Sequence, residues 1–268
     1  MTALLDRAID RLSASAWPEV AWQFSRINGD GYPVEFTYST ASSAVRFTAE
    51  VAGPEVDERR RFDLALSLLD TPPAAGVESV RAVQARGPLR FGAWVGGGAG
   101  RQKVYAECPP GTESDWGIPG ARLRMIGLTS GETSSEYYYR RNFLESADAG
   151  YLLHRCGLGS RFRDLRDAVE RATGRSTEGM LLSTDAGYSV AQIPSGCAMS
   201  VFTFARSLWG SDANIRRTLL RLHDMPVYEK ASRAVAGREG PETLHGVLAW
   251  IVAADRPIEW RISLRPSN

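Results

Sequence analysis

Cysteine is scarce in this chain. Cys108, Cys156 and Cys197 are the only three in 268 residues. They are odd in number and far apart, which excludes a disulfide framework and any Cys-x-x-Cys metal or redox motif. A reducing cytoplasm is the expected location. An excess of charge of one sign is also missing: 32 Lys and Arg face 31 Asp and Glu, so bulk charge gives no attraction to nucleic acid or to an anionic membrane. No apolar run approaches the roughly 18 residues of a membrane helix. The first residues alternate charge with leucine, where a signal peptide needs an apolar block. His154, His223 and His245 lack metal-ligand spacing, and no Asp-Asp-x-x-Asp cluster is present. No linker rich in Pro, Gly or Ser divides the chain, so a single domain over residues 1–268 is expected.

What the chain does contain is period-two patterning in pairs. Val34, Phe36 and Tyr38 alternate with Glu35, Thr37 and Ser39 after the turn signal NGDGYP; Phe47, Ala49 and Val51 alternate with Arg46, Thr48 and Glu50. Two such runs joined by a short polar link read as a hairpin. Further pairs are LRFGAWV with RQKVYAEC, RLRMIGL with SEYYYRR, YSVAQI with CAMSVFTFA, and LHGVLAWIV with PIEWRISL, with GMLLSTD as one more strand. Between them lie helical stripes at i, i+3, i+4 and i+7: Leu4, Leu5, Ala8, Ile9 and Leu12; Phe62, Ala65, Leu66 and Leu69; Phe162, Leu165 and Val169; Ile215, Leu219 and Leu222, the last behind a Ser211 or Asp212 cap. A further helical stretch is expected around 151–158. Ten or eleven strands in hairpins, interrupted by amphipathic helices, define an α+β class with an antiparallel sheet. The run GGGAGR precedes a strand-like segment and no helix, so it reads as a hairpin loop and not a phosphate loop.

The polar faces of these strands are unusual. Arg46, Lys103, Arg122, Arg124, Arg261 and Arg265 all lie opposite apolar sets, in strands of four hairpins. Helices with one apolar stripe can cover only the apolar face of a sheet. If the sheet closes, these cations, with Glu35 and Glu50, line a polar lumen suited to an anionic ligand. If it stays open, they are a solvated outer face. Spacing alone supports both.

The stretch GYPVEFTYSTASSAVRFTAEVAGP resembles the first hairpin of the aromatic prenyltransferases of the ABBA type, including the dimethylallyltryptophan synthases, in its Pro-x-Glu strand followed by a strand with Arg and an acidic residue. Lys103-Val104-Tyr105 is similar to that family's Lys-x-Tyr motif. The likeness covers the whole chain in element order, and the length is near that of compact cyanobactin-type peptide prenyltransferases. It implies a barrel of about ten antiparallel strands with a polar lumen, ringed by amphipathic helices in αα-ββ repeats. Two departures are visible. Glu136-Tyr137-Tyr138-Tyr139 replaces an Arg-x-Lys-x-Tyr pattern, and Arg261 and Ser263 stand where family members often place Tyr.

The resemblance implies transfer of a dimethylallyl or geranyl group from an allylic diphosphate to an aromatic acceptor. That acceptor would be a small metabolite or a Tyr or Trp side chain of a peptide. An allylic diphosphate must ionise, so cations are needed around its leaving group and aromatic faces around its carbocation. Arg46, Lys103, Arg122, Arg124 and Arg261 are the candidates for the diphosphate; Tyr105, Tyr137 and Tyr139, from a run that includes Tyr138, are the candidates for the shield. Glu35 is assigned as the base that removes the acceptor's proton, the other reading being a structural partner of Arg46. No tightly bound cofactor is implied, although Mg2+ can accompany the diphosphate. No nucleic-acid or membrane partner is expected. The rival reading is a noncatalytic barrel that binds a ligand or serves as an accessory protein in a biosynthetic cluster. Lys103→Ala is expected to weaken diphosphate binding far more than folding, an inward polar side chain contributing little to the core.

Overall fold

The computed structural model describes residues 3–13, 33–53, 55–98, 100–193, 196–235 and 244–265. Residues 28–32 of the NGDGYP turn signal lie outside them. Helix α1 (Ala3–Ser13) is followed by β1 (Val34–Ser39), β2 (Arg46–Glu50), α2 (Glu58–Leu68), α3 (Val77–Gln84), β3 (Ala93–Gly98), β4 (Arg101–Glu107), β5 (Arg122–Thr129) and β6 (Ser135–Arg140). Then come β7 (Leu144–Glu145), α4 (Ser146–Arg155), α5 (Phe162–Thr173), β8 (Met180–Leu182), β9 (Gly187–Ile193) and β10 (Gly196–Phe204). Helices α6 (Ala205–Trp209), α7 (Asp212–Leu222) and α8 (Pro226–Val235) lead into β11 (His245–Val252) and β12 (Glu259–Leu264).

Ten strands close into an antiparallel barrel in the order β1-β12-β11-β10-β9-β6-β5-β4-β3-β2. Closure removes the exposed edges that an open sheet of this size would carry. It also decides between the two readings of the polar faces. Val34, Tyr38, Ala49, Val95, Val104, Leu128, Val190, Val201, Trp250 and Ile262 face outward and merge with the helices into one apolar layer. Their alternating neighbours therefore face the lumen.

The helices sit where their stripes predict. Leu4, Leu5, Ala8 and Leu12 of α1 are buried, whereas Ile9 stays exposed at the margin of the stripe. Asp57 caps α2 by accepting from Arg59 N at 2.9 Å, and Ser211 caps α7 by accepting from Asn214 N. Helix α5 buries Leu165, Ala168, Val169 and Ala172 and ends at Gly174, whose φ of 66° suits a residue without Cβ. The connections with helices all leave the same end of the barrel; the other end holds the short hairpin turns of β1-β2, β3-β4, β5-β6, β9-β10 and β11-β12.

Three expectations are corrected. The strand at Met180–Leu182 is not in the barrel but pairs with Leu144–Glu145 in a separate two-stranded sheet. Three helices, α3, α6 and α8, were not evident in the periodicity, since α6 has five residues and the other two only eight and ten. In β5 the register shifts between Leu123 and Met125. Leu123 lies opposite Tyr139 and Met125 opposite Tyr138, so the apolar set expected opposite Arg122 and Arg124 does not keep to one face; a bulge inverts the alternation.

Candidate active site in the barrel lumen

At the hairpin end, residues from β1, β2, β4, β6 and β12 converge. Lys103 Nζ donates to Glu136 and, at 3.0 Å, to the hydroxyl of Tyr138. It also lies 5.3 Å from the centroid of the Tyr105 ring and 5.2 Å from that of Tyr138. The two rings meet edge to face with centroids 5.8 Å apart. The second oxygen of Glu136 accepts from the Ser189 hydroxyl, which pairs with Ser200 at 2.7 Å. On the neighbouring wall Arg261 Nε donates to Glu259 at 2.6 Å, and the Ser39 hydroxyl donates to the same oxygen at 2.7 Å. Arg46 joins them: its guanidinium is lowered from its ordinary pKa first by burial and then by Arg261, and raised by Glu259 and Tyr105. Glu259 is thus a carboxylate whose charge acts on Arg46. Glu35 lies opposite Thr48 in the hairpin register, while Thr37 lies opposite Arg46.

Titration behaviour follows from this packing. Burial raises the pKa of Glu136, but the charge of Lys103 and hydrogen bonds from Lys103, Ser189 and Tyr138 outweigh it and bring the carboxyl down to about 2. Glu259 is also lowered, burial being opposed by the hydrogen bond and charge of Arg261. Tyr138 is raised well above the ordinary phenol, by burial and by Glu136, so its hydroxyl stays protonated and able to donate.

Two lumen-facing glycines make room for these side chains. A Cβ on Gly127 would stand 2.3 Å from Lys103 Cε and 2.9 Å from Nζ; one on Gly96 would stand 2.8 Å from the Tyr105 ring and 2.9 Å from the Phe47 carbonyl oxygen. Lys103 can move, whereas the Phe47 backbone cannot. Gly127→Val is therefore expected to displace Lys103 from Glu136, to weaken binding of an anionic ligand by about tenfold, equivalent to roughly 1.4 kcal/mol, and to lower the melting temperature as that pair is disturbed. Unchanged affinity in a titration of the variant would show that Lys103 does not need this position.

The opposite end of the lumen is built differently. Glu50 accepts from Trp94 Nε1 at 2.9 Å and from Arg61, whose other nitrogens reach the carbonyls of Val56 and Gly53. One Glu107 oxygen accepts from the backbone N–H groups of Arg90, Phe91 and Gly92 at 3.0, 2.6 and 2.7 Å. Glu35, with 5% of its surface exposed, lies on the lumen face of β1. Ser39, at the cation cluster, is four residues away, about 13 Å at the rise of an extended strand.

The structure regroups the residues expected from the sequence. Arg46, Lys103, Arg261 and Tyr105 come together. Arg122 and Arg124 do not join them: Arg122 pairs with Arg140 at the helical end of β5, while Thr129, at its other end, pairs with Lys103. Arg124 and Thr129 are five residues apart, about 17 Å along the strand. Tyr137 and Tyr139 face outward. Tyr137 packs on the apolar layer, and Tyr139 stacks on Tyr188 at 4.6 Å with its hydroxyl on Ser114. Period-two phase puts the middle residue, Tyr138, in the lumen. Glu136, Glu259 and Tyr138 are the site residues that the sequence assignment lacked. Their signal was present, since Glu136 shares a strand face with Tyr138, and Glu259 with Arg261.

The signals set aside earlier remain outside the site. His245 is buried between Asp212 and the Tyr228 hydroxyl, 2.8 Å from its Nε2. Cys108 and Cys156 are buried, each thiol pushed up to about 12 mainly by that burial. The glycine-rich run forms the β3-β4 hairpin, with Gly98 opposite Arg101. Among the described residues, no helix is long and apolar enough to cross a membrane.

The ten-stranded closed barrel ringed by helices is the fold of the ABBA-type aromatic prenyltransferases. The chain is similar to the structure of 6-dimethylallyltryptophan synthase from Micromonospora olivasterospora in complex with DMASPP and Trp, with a TM-score of 0.71 over 98% of this chain and 95% of that one, at 15% identity. It is also similar to 5-dimethylallyltryptophan synthase from Streptomyces coelicolor in complex with the same two ligands, with a TM-score of 0.67 over 91% of this chain and 82% of that one, at 16% identity. The binary complex of PriB with product diphosphate gives a TM-score of 0.62 over 90% and 81% of the two chains, at 16% identity. No family model matches the chain, and no curated protein matches it by sequence.

Proposed function

We propose that this protein transfers a dimethylallyl or geranyl group from its allylic diphosphate to an aromatic acceptor. The observation that carries the reading is the partly buried cluster of Arg46, Lys103 and Arg261, with two tyrosine rings beside it, inside a closed barrel. Similar barrels bind a dimethylallyl diphosphate analogue together with tryptophan.

In this reading Arg46, Lys103 and Arg261 hold the diphosphate. As its bond to the allylic carbon breaks, they meet the charge that develops on the departing oxygen. The rings of Tyr105 and Tyr138 present their π faces to the allyl cation and exclude water. The cation's empty orbital accepts electrons from the acceptor ring or heteroatom, one new bond to carbon, nitrogen or oxygen forms, and Glu35 takes the proton that leaves. The span of about 13 Å along β1 between Glu35 and Ser39 is long enough to seat an isoprenoid unit and a flat ring end to end. Trp, Tyr or another electron-rich aromatic, free or in a peptide, fits that role. Mg2+, where it accompanies the donor, would neutralise diphosphate charge beside Glu136 and Glu259.

The test is calorimetric titration with the thiolodiphosphate analogues of dimethylallyl and geranyl donors. Micromolar binding of either is the expected result. Binding of neither would overturn the donor site and leave the barrel as an accessory or ligand-carrying protein.

A further inference from the structure

We infer that a cavity outside the barrel, between α7 and α8, binds a small molecule carrying a diphosphate group, held by Arg216, Arg217 and Arg221. The inference does not depend on the reading of the lumen as a donor site.

Helix periodicity builds the cavity wall. Ile215 and Leu219 are the buried residues of α7. At 3.6 residues per turn, Arg216, Arg217, Leu220 and Arg221 fall on the other side of the helix. That side does not meet open solvent alone. Helix α8 lies beside it, and a cavity of about 520 Å3 is lined by the three arginines with Leu220, Ser232 and His245, a volume within the range of small-molecule sites.

The arginines are arranged but not neutralised. Arg216 is half-buried, and its Nε donates to the Ser232 hydroxyl at 3.2 Å. Ser232 is fully buried and donates in turn to the Glu229 carbonyl oxygen at 3.1 Å. This fixes the plane of the guanidinium, whose two terminal nitrogens form no hydrogen bond among the described residues. Arg217 and Arg221 are exposed, and neither they nor Arg216 form an ion pair among the described residues. Asp212 also lines the cavity, but its oxygens are taken: they accept from the N–H groups of Leu244 and His245 at 2.9 and 3.1 Å and from His245 Nδ1. The other acids of this helix pair lie elsewhere. Asp224 and Glu229 line an adjoining cavity of about 360 Å3 that shares Leu220 and Arg221, and Glu229 accepts from Arg233.

Three like charges around one concavity repel each other when it is empty, and an anion removes that cost. Guanidinium donors form a planar fork that matches phosphate oxygens two at a time. Positions 216 to 221 span about 7.5 Å along the helix axis, so the three forks suit two linked phosphates better than one. Leu220 and Ala213 give the same wall an apolar portion for the organic part of the ligand.

The experiment is calorimetric titration of the full-length chain with inorganic diphosphate at low ionic strength, in the wild type, in R217A/R221A and in K103M/E136Q. Two equivalents are expected to bind the wild type, one in the lumen and one between α7 and α8. In R217A/R221A one of them is expected to weaken at least tenfold with the melting temperature unchanged, since both side chains are exposed. K103M/E136Q is expected to keep that equivalent, and added KCl to weaken it through screening. If the lumen is not a donor site, the wild type binds one equivalent, and R217A/R221A still loses it. ADP beside inorganic diphosphate separates the sources of the group: tighter ADP assigns a nucleoside-bearing ligand, equal affinity assigns the diphosphate itself, and either supports the inference. Identical stoichiometry and affinity in the wild type and R217A/R221A would overturn it. Tighter binding of hexaglutamate than of diphosphate or ADP at these arginines would also overturn it, by making the cavity a surface for an acidic peptide.

Discussion

Glu35→Gln is expected to lower the rate of prenyl transfer by about 10²–10⁴, the usual contribution of a positioned proton acceptor, while changing the affinity for dimethylallyl thiolodiphosphate by less than about twofold. The amide keeps the volume of the carboxylate and can still hydrogen-bond, but it cannot carry away a proton. The geometry explains why the two effects separate. Glu35 lies opposite Thr48 on the lumen face of β1, about 13 Å along the strand from Ser39. The diphosphate would sit at the hairpin end of the lumen against Ser39, Arg46 and Arg261, with Glu35 one lumen position beyond Thr37, the residue opposite Arg46. Single-turnover rates with an aromatic acceptor that the wild type prenylates, set beside calorimetric affinities, make the comparison. A variant with undiminished turnover would deprive Glu35 of its role. Equal loss of affinity and melting temperature would make it structural.

The second large effect concerns Lys103, whose ion pair with Glu136 makes a cost to folding the expected companion of the cost to binding. Lys103 donates to Glu136, and both are about four-fifths buried. Lys103→Met leaves the carboxylate facing Tyr138 and Ser189 without its cation. Breaking such a pair costs about 2–4 kcal/mol, toward the low side of the buried range because some solvent reaches it. Loss of the ammonium also removes one of three cations from the cradle, so affinity for the diphosphate analogue falls tenfold or more. Lys103→Met/Glu136→Gln distinguishes the two contributions: stability is expected to return most of the way while donor affinity stays low. Stability unchanged in the single variant, measured by urea unfolding, would refute the coupling.

The pH dependence has a definite sign. Glu136 titrates at about 2 in the folded chain and near 4.3 when unfolded. Its depressed value therefore contributes stability that is present in full above about pH 4.3 and is lost as pH falls through about 2, on the order of 3 kcal/mol in all. Glu136→Gln should flatten the wild-type curve in that window. An identical slope in both proteins would show that other carboxylates carry it.

Electrostatics in this lumen depend on pairs that the linear chain cannot display. Lys103 and Glu136 are 33 residues apart, and Ser39 and Glu259 are 220 apart. Closure places β1 against β12 with Ser39 opposite Arg261. An arginine at position 46 and a glutamate at 259 become neighbours only through that seam. For the same reason Arg122 and Arg124 looked equivalent to Lys103: each lies on a polar-looking position, but strand direction sends Lys103 to the hairpin end and the two arginines to the helical end. In the tyrosine run, the phase was signalled only by Glu136, which shares a strand face with Tyr138. The register against β5 and β9 gave the lumen to Tyr138, because Tyr139 had Tyr188 to stack on.

Much was legible before folding. Alternating residues in Val34–Ser39 and Arg46–Glu50 determined a hairpin with Glu35 and Arg46 on the face opposite the core, since a strand has a period of two and water accepts only one of its faces. Apolar stripes determined helices able to cover only one side of a sheet. From the sequence alone, then, came an antiparallel α+β protein with cations on its uncovered face. Whether that face was solvent or a lumen, which cations gather, and which carboxylates oppose them were decided by the closure and register of ten strands, because those depend on distant residues meeting and on one bulge in β5 that reverses the phase of the strand beyond it.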